Sequence, residues 1–491
     1  MEQPAIVMEA RNWPDTGSGG AFAGDPAGDR DQGAGPDLDG KPDIRPVQPG
    51  ERIKALDVLR GFAILGILPI NVQFFRHPAS GEALRFDWHS LGTFEYAIEF
   101  ARVTLVQGKF YALFSILFGL GFALQLGRIE QRGGRFALRF LWRMILLFGI
   151  GAAHAIVIWD GDILKSYALG GVILLLFFVI KRGLDRVIRK LSRGRWTRMG
   201  PISALILAIL LIVLPMTGWA VAVHRSVQVR AAVAAGETLT ESQEKEWKRI
   251  EKRDNYWVDP ERKKERDEER TLYATGSYGE VVQHRASKLV ADLLGGLPQL
   301  ILFVSLFLLG AYLGRCNHIG RADELKRGFS RLLVIAAMIG VPTALAYAWF
   351  TATTPDVEVR DWRMWQSGLV MVVSQFALAL AYIAMIVLLM GTRAARWLQH
   401  LAPVGRMALS NYVMASVLGT VVFYGHGFGA MSVAGVGGEL LFMLGVVALQ
   451  IPLSRLWLTH FRFGPLEWLW RSLSYLRLQP MRQVRGNPAP A

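Results

Sequence analysis

The stretch GAAHAIVIWDGDILKSY, residues 151–167, decides how this chain folds. It joins two apolar segments, and between them Asp160, Gly161 and Asp162 predict a tight turn. His154 falls about one helical turn before the end of the first segment. The stretch therefore predicts a helical hairpin in a membrane, and ionisable groups at the mouth of such a hairpin indicate a functional site by default.

The composition of the whole chain is that of a membrane protein. Of its 491 residues, 52% are hydrophobic and only 19% are charged, whereas a soluble domain is about 25% charged. Apolar runs of roughly 18 to 22 residues recur, and each is long enough to cross a bilayer. We therefore predict an all-α polytopic membrane protein with about ten transmembrane helices. The predicted spans are residues 55–75, 110–127, 138–158, 163–181, 202–223, 296–314, 332–350, 366–391, 403–424 and 436–454.

The basic residues predict the orientation. They cluster in the short loops after the second, fourth, sixth and eighth spans and in the C-terminal tail, so the net charge of +15 is a topology signal and not a sign of nucleic-acid binding. By the positive-inside rule both termini are predicted to be cytoplasmic, with Asp160 and Asp162 on the opposite side. Cys316 is the only cysteine and is predicted on the cytoplasmic side. A single cysteine excludes an intrachain disulfide and a cysteine-based metal site.

The spans also predict the organisation of the chain. The predicted parts are a disordered cytoplasmic tail (1–50), a polytopic membrane domain (51–475) with an extracytoplasmic insertion (225–295) between spans five and six, and a basic cytoplasmic tail (476–491). Within the insertion, TESQ at 240–243 and SYGE at 277–280 have the pattern of capping boxes. The dense alternating charge after the first box predicts a solvated helical excursion.

Five runs together resemble the YeiB-like family of bacterial inner-membrane proteins, which carry domain of unknown function 418. They cover nearly all of the predicted folded part and are specific as a set. The runs are LDVLRGFAILGILPIN (56–71), FYALFSILFGLG (110–121), the stretch at 151–167, VGRMALSNY (404–412) and GPLEWLWR (464–471). The resemblance implies a multi-pass protein of the bacterial cytoplasmic membrane.

A more distant resemblance concerns activity. The LDxxRG opening followed by an FxxFxxG span is similar to the transmembrane acyltransferases, which move an acyl group from cytoplasmic acyl-CoA to an extracytoplasmic acceptor, commonly a sugar. This resemblance implies acyl-CoA as co-substrate and no bound cofactor. The histidine expected in the first external loop of those enzymes has no flanking motif here, although that loop holds His77 and His89.

The residues of the hairpin are the candidate catalytic group. A neutral His154 imidazole accepts a proton from a hydroxyl that attacks a thioester, and we expect Asp160 to fold back and orient the ring. Asp162 is suited to cap the next helix, a role compatible with chemistry. Tyr167, one turn inward, is either a donor to an oxyanion or a core tyrosine.

Further polar residues lie in other spans. Asp57 and Arg60, spaced i,i+3, either pair with each other or present Arg60, with Lys54 or Arg143, to the phosphates of the donor. Their structural interpretation is a paired charge that snorkels at a helix end.

Asn71, Asn411 and Tyr412 are polar groups within spans. Such groups either join helices by hydrogen bonds or bind the substrate. The nine histidines have no metal-ligand spacing, so no metal is predicted.

Three functions follow from these patterns. The first is acyl transfer by His154 with Asp160 or Asp162. The second is transport of a small organic solute or drug-like cation, in which the same residues form a gate or proton relay. The third is a scaffold or sensor that uses the insertion. Membrane lipids and a small-molecule substrate are the predicted partners, and nucleic acid is not.

Overall fold

The computed structural model describes residues 54–78, 88, 90–132, 136–191, 202–255, 259–316, 319–320, 324–353 and 361–483. The predicted tail at 1–50, the end of the basic tail from 484 onward and His89 lie outside the described residues. Over the described part the chain is helical, with a single isolated bridge between Phe461 and Arg482. The predicted all-α polytopic fold is confirmed.

Seventeen α-helices are present in the described ranges. In chain order they are α1 (Lys54–Arg76), α2 (Thr93–Leu105), α3 (Lys109–Arg132), α4 (Phe136–Val157), α5 (Leu164–Leu191), α6 (Ile202–Ala234), α7 (Glu241–Asp254), α8 (Pro260–Thr275), α9 (Tyr278–Gly295), α10 (Leu297–Arg315), α11 (Lys326–Thr353), α12 (Trp362–Met390), α13 (Ala395–Leu398), α14 (Ala402–Arg406), α15 (Ala408–Phe423), α16 (Val436–His460) and α17 (Pro465–Tyr475).

The predicted spans all fall on helices. Nine helical stretches of the described chain are long and apolar enough to cross a membrane, and a bent pair brings the number to ten. The spans coincide with α1, α3, α4, α5, α6, α10, α11, α12, α15 and α16. The predicted spans therefore agree with the helices that are long and apolar enough to cross a bilayer.

The ninth predicted span, 403–424, is not straight. The helical segment Ala395–Arg406 meets α15 at an angle of 80°. At the bend Gly405 packs on the backbone of α1, where a Cβ atom would lie 1.9 Å from the Asp57 carbonyl oxygen. Only glycine permits this approach. The apolar pattern continues across the bend, so hydropathy does not predict the bend.

The new helix that starts after the bend is capped from α17. The backbone N–H groups of Leu409 and Ser410 donate to the Glu467 carboxylate at 2.7 and 3.1 Å, and the Ser410 hydroxyl donates to it at 2.5 Å. These bonds satisfy donors that the first turn of a helix leaves without partners. The short amphipathic α17 thereby holds α15 in its bent position.

α2 was not predicted. It precedes α3, packs against α11 and α16, and is separated from α3 by a turn at 106–108 in which Gly108 has φ +79°. Its 13 residues are amphipathic and include the buried charges Glu99 and Arg102. A short helix with charges on one face resembles a loop in a hydropathy analysis, which explains the omission.

The insertion is helical, as predicted. Both capping boxes are formed, by Thr240 with Gln243 before α7 and by Ser277 with Glu280 before α9. The insertion also contacts the ends of membrane helices: the Tyr278 hydroxyl donates to the Val157 carbonyl of α4 at 2.8 Å. We call the end of the helix bundle that carries these contacts the insertion face.

Candidate functional site

The turn between α4 and α5 closes α4 and starts α5 within a few residues. The His154 carbonyl accepts from the backbone N–H groups of Ile158 and Trp159 at 2.9 and 2.8 Å, which ends α4. The Asp162 carboxylate accepts from the backbone N–H of Lys165 at 2.9 Å and so caps α5. Gly151 allows the two helices to approach, since a Cβ there would lie 2.6 Å from the Lys165 nitrogen.

This turn places His154 against Asp162. Nδ1 of His154 lies 2.9 Å from Oδ2 of Asp162, and the two side chains are 2% and 0% exposed. Nδ1 and Oδ2 are therefore in contact without an aligned hydrogen bond. Nε2 is buried and has no hydrogen-bond partner among the described residues. We call this pair the dyad.

The contact indicates the tautomer of the ring. A carboxylate beside Nδ1 favours the neutral tautomer that carries its proton there, which leaves the Nε2 lone pair free. The dyad thus has the arrangement of a general base whose second nitrogen is oriented by an acid.

Asp160 does not contact the ring, contrary to the sequence-based expectation. Its Oδ2 accepts from the Tyr273 hydroxyl of α8 at 2.8 Å, and its carbonyl accepts from the Lys165 ammonium at 3.3 Å. Asp160 lies on the side of the turn that faces the insertion, whereas Asp162 begins α5 and faces α4. The orienting acid is therefore Asp162, two residues further along.

Tyr412 is brought to the dyad and Tyr167 is not. The ring of Tyr412 lies 5.1 Å from that of His154, and its hydroxyl accepts from the Ile163 N–H at 3.3 Å. The Tyr167 hydroxyl bonds the Ser115 hydroxyl at 2.7 Å and donates to the Tyr111 carbonyl at 3.2 Å. The hydroxyl of Tyr167 is thus occupied, which matches the core-tyrosine alternative.

The two asparagines join helices in this structure. The Asn71 side-chain oxygen accepts from the Tyr111 hydroxyl at 2.5 Å. The Asn411 amide donates to the Ser454 hydroxyl at 2.9 Å, and Gln450 donates to the Asn411 carbonyl at 2.8 Å. Asn411 therefore ties the bent span to α16, as polar residues within membranes commonly do.

Asp57 and Arg60 lie far from the dyad. They pair at 3.2 Å, and the Arg60 side chain is 36% exposed. The ring of Phe75, further along α1, packs 4.5 Å from that of Trp159 beside the hairpin. Asp57 and Arg60 precede Phe75 by about 15 residues or more, which at 1.5 Å per residue is about 22 Å along α1. The predicted site residues therefore form two groups at opposite ends of the bundle.

Arg143 lies near the start of α4, away from the hairpin turn. It donates to the Gln125 side chain at 2.5 Å, and its guanidinium stacks on Trp470 at 4.3 Å. Both contacts anchor α4 to α3 and α17 near the start of α4. Arg143 is thus partnered by protein groups in this structure.

A cavity of about 230 Å³ lies between α1, α3, α10 and α12. Its walls include two residues that contact Tyr167, namely Tyr111 and Phe303. His154 is not among the residues that line it. The cavity therefore adjoins the core beside the dyad without reaching the imidazole.

Sequence reasoning missed a second group of buried charges at the insertion face. Glu439 at the start of α16 contacts Arg76 at 2.9 Å and Arg102 at 2.8 Å, and Arg102 also contacts Glu99 at 3.1 Å. Gln73 donates to Glu99 at 2.9 Å. The i,i+3 spacing of Glu99 and Arg102 was the available signal. We call these four charged residues the ion cluster.

Comparisons with known proteins show what this chain is similar to. Residues 313–477 match the family model described as "Protein of unknown function (DUF418)". The chain is 29% identical to "Uncharacterized protein YxaH" of Bacillus subtilis (strain 168), over 89% of this chain and 98% of that protein. It is 28% identical to "Uncharacterized protein YeiB" of Escherichia coli (strain K12), over 86% of this chain and 96% of that protein. The resemblance inferred from the five sequence runs is confirmed.

Proposed function

Taking this chain as a YeiB-like membrane protein with a DUF418 domain, we propose that it is an acyl-transfer enzyme whose reacting base is His154. The observation that carries the proposal is the dyad, a buried imidazole with a carboxylate at Nδ1 and a free Nε2. Burying an ionisable group inside a membrane protein is energetically costly, so its presence there indicates a function. An imidazole with one oriented and one free nitrogen has the form that general-base catalysis requires.

In the proposed reaction, His154 first takes up a proton and then returns it. Nε2 of His154 takes the proton of an acceptor hydroxyl while the oxygen forms a bond to the acyl carbon of a thioester. The carbon–sulfur bond then breaks, and the imidazolium returns the proton to the leaving thiolate. Asp162 stabilises the imidazolium between these two steps, because a carboxylate near Nδ1 favours the charged ring.

The donor is proposed to be acyl-CoA, bound from the face where α1 begins. Arg60 is part-exposed there, and Lys54 is exposed at the start of the same helix. Guanidinium groups suit phosphate oxygens because they form paired hydrogen bonds. The basic loops support a cytoplasmic location for this face, and hence a location of the protein in the bacterial cytoplasmic membrane.

The test replaces His154 by Ala in the full chain, reconstituted in vesicles. A cell-envelope extract supplies the pool of acceptors, and the transfer of label to it from radiolabelled acetyl-CoA is measured. We expect turnover to fall about 10²-fold to 10⁴-fold, the usual contribution of a general base. His400→Ala is the control, because His400 is exposed and bonded only to backbone of its own helical segment among its described contacts. Unchanged turnover in His154→Ala contradicts the proposal.

A second candidate function is transport of a small organic cation. The 80° bend between Ala395–Arg406 and α15, together with the cavity of about 230 Å³, favours it, because broken helices and midplane cavities occur in transporters. The distinguishing measurement is counterflow of a labelled lipophilic cation in proteoliposomes without acyl donor. Such counterflow, with no acyl transfer by the same preparation, supports transport over acyl transfer.

A further inference from the structure

Arg285 of α9 is a buried cation without a counter-ion in contact. The residue is 2% exposed, and Nε and both Nη atoms make no well-aligned hydrogen bond within the described ranges, although the hydroxyls of Tyr273 and Tyr424 lie close enough to interact with the guanidinium. The described residues place no carboxylate oxygen within ion-pair distance of it. A guanidinium offers five N–H donors and no acceptor. Burial of such a group without a partner is strongly unfavourable, so its retention points to an occupant that supplies acceptors.

Two aromatic residues flank the guanidinium. Its carbon lies 5.4 Å from the ring centroid of Tyr273 and 5.4 Å from that of Tyr424. Cation–π contacts of this kind orient a guanidinium but leave its N–H groups available. The edge of the guanidinium is therefore fixed in direction before any ligand arrives.

Two more polar atoms beside Arg285 are also buried and make no well-aligned hydrogen bond in the described structure. They are the Tyr424 hydroxyl oxygen and Nδ1 of His426, and the rings of these two residues lie 5.8 Å apart. Both atoms follow the end of α15, at the insertion face. Buried polar groups normally have partners, so three neighbouring exceptions indicate one shared ligand.

Asp160 is the acid whose charge acts on Arg285, and its carboxylate is hydrogen-bonded to another residue. Its Oδ2 accepts from the Tyr273 hydroxyl at 2.8 Å. That bond holds one carboxylate oxygen against Tyr273 and links the Arg285 group to the hairpin turn. The residual charge of Asp160 opposes a highly charged ligand and favours one that carries a single negative charge.

We propose that Arg285, Tyr424 and His426 bind an oxyanion, a phosphate or carboxylate, at the insertion face. The Arg285 fork and the Tyr424 hydroxyl donate to the ligand oxygens, and His426 donates in the tautomer with its proton on Nδ1. Its place next to Asp160, two residues from Asp162, makes this oxyanion the anionic group of the acceptor molecule. That last assignment depends on the acyl-transfer proposal, whereas the binding of an oxyanion does not.

The experiment measures binding of inorganic phosphate and of acetate to the purified full chain in detergent micelles, by calorimetry at constant ionic strength set with chloride. Arg285→Met is expected to weaken binding about tenfold or more, because charged hydrogen bonds are lost. Tyr424→Phe is expected to weaken it about threefold to tenfold. Arg270→Met removes an exposed arginine of the same insertion and is the matched control, with unchanged binding expected.

Arg285→Lys covers the case in which Arg285→Met does not fold. It keeps the charge and loses the fork, so a weakening of about threefold or more is expected with normal helix content. Stronger binding of phosphate indicates a phosphorylated acceptor, and stronger binding of acetate indicates a carboxylate. Equal affinity of the wild type and a folded Arg285→Met or Arg285→Lys variant overturns the proposal.

His154→Ala separates the two proposals. Phosphate or acetate affinity at the wild-type value in this variant supports an oxyanion site that exists apart from catalysis. If His154→Ala retains full acyl transfer while Arg285→Met loses oxyanion binding, the acyl-transfer proposal fails and the oxyanion site stands. If His154→Ala loses acyl transfer while wild type and Arg285→Met bind neither anion, the oxyanion site fails and the dyad stands.

Discussion

The ion cluster and the dyad are both buried ionic groups at the insertion face, and they differ in what they leave unused. In the ion cluster two arginines face two glutamates, and Glu439 contacts Arg76 and Arg102 at 2.9 and 2.8 Å. In the dyad Asp162 serves Nδ1 of His154, while Nε2 has no partner in the part of the chain described. Every charged side chain of the ion cluster has an ion-pair partner, whereas Nε2 of His154 has none among the described residues.

The two groups also connect different parts of the fold. The ion cluster joins α16 to α1 and α2, from which it is distant in the chain, whereas the dyad joins α4 to α5, which are consecutive. Loss of a charge from the ion cluster is therefore expected to destabilise the bundle. Loss of the His154 side chain is expected to affect the proposed reaction more than stability, because the α4–α5 turn and the Asp162 cap remain. A buried charge indicates a reactive site only when part of its bonding capacity is left over.

The largest effect on stability is expected for Glu439→Gln. It leaves the buried Arg102 guanidinium and the partly exposed Arg76 guanidinium without full compensation, which costs about 3–5 kcal/mol. The thermal midpoint in detergent should fall, and acyl transfer per folded molecule should stay the same. Glu241→Gln is the control, because Glu241 is 84% exposed and pairs only with Lys245 on the surface of α7. A stable Glu439→Gln protein without activity would reverse the roles assigned to the two groups.

Asp162→Asn is expected to produce the opposite outcome. Asparagine still caps α5, so the thermal midpoint should change little, but the imidazolium loses its carboxylate and turnover should fall about 10²-fold or more. Asp361→Asn is a matched control, because Asp361 caps α12 through the Met364 N–H at 2.9 Å and has no recorded histidine contact. Equal turnover in the two variants would remove Asp162 from the mechanism.

Gly405→Ala tests the bend that brings Tyr412 to the dyad. An added Cβ would meet the Asp57 carbonyl oxygen at 1.9 Å, so α14 must move away from α1 at a cost of about 1–3 kcal/mol. The free energy of unfolding and the turnover should both decrease. Gly437→Ala is the control, since a Cβ there meets nothing within 4 Å. Equal stability of the two variants would show that the contact of α14 with α1 carries no weight.

The smallest effect concerns His77, which follows α1 next to the ion cluster. Burial and the neighbouring Arg76 lower the pKa of His77 to about 4 from 6.5. The unfolded chain then binds a proton at a higher pH than the folded chain, so stability falls as the pH drops from about 6.5 to about 4. In His77→Gln this decrease should be smaller by about 1 kcal/mol. An identical pH profile in the variant would contradict the assigned shift.

The sequence predicted the elements whose signal is local. Ten long apolar runs gave ten spans, and the stretch at 151–167 gave a hairpin with a histidine and acids at its mouth. The choice between Asp160 and Asp162 failed because a change of two residues within a turn reverses the direction of a side chain. α2 was missed because a short helix with charges on one face has no long apolar run. The i,i+3 spacing of Glu99 and Arg102 does not show that their further partners lie on α1 and α16. Arg285 was hidden among the many solvated charges of the insertion.

The proposal that Nε2 of His154 is the reacting base can be tested by adding free imidazole to the His154→Ala protein. We expect this variant to keep the thermal midpoint, to lose turnover about 10²-fold or more, and to recover part of its turnover with imidazole, a recovery that the wild type and His400→Ala do not show. Wild-type turnover in His154→Ala without imidazole would show that Nε2 is not the reacting base.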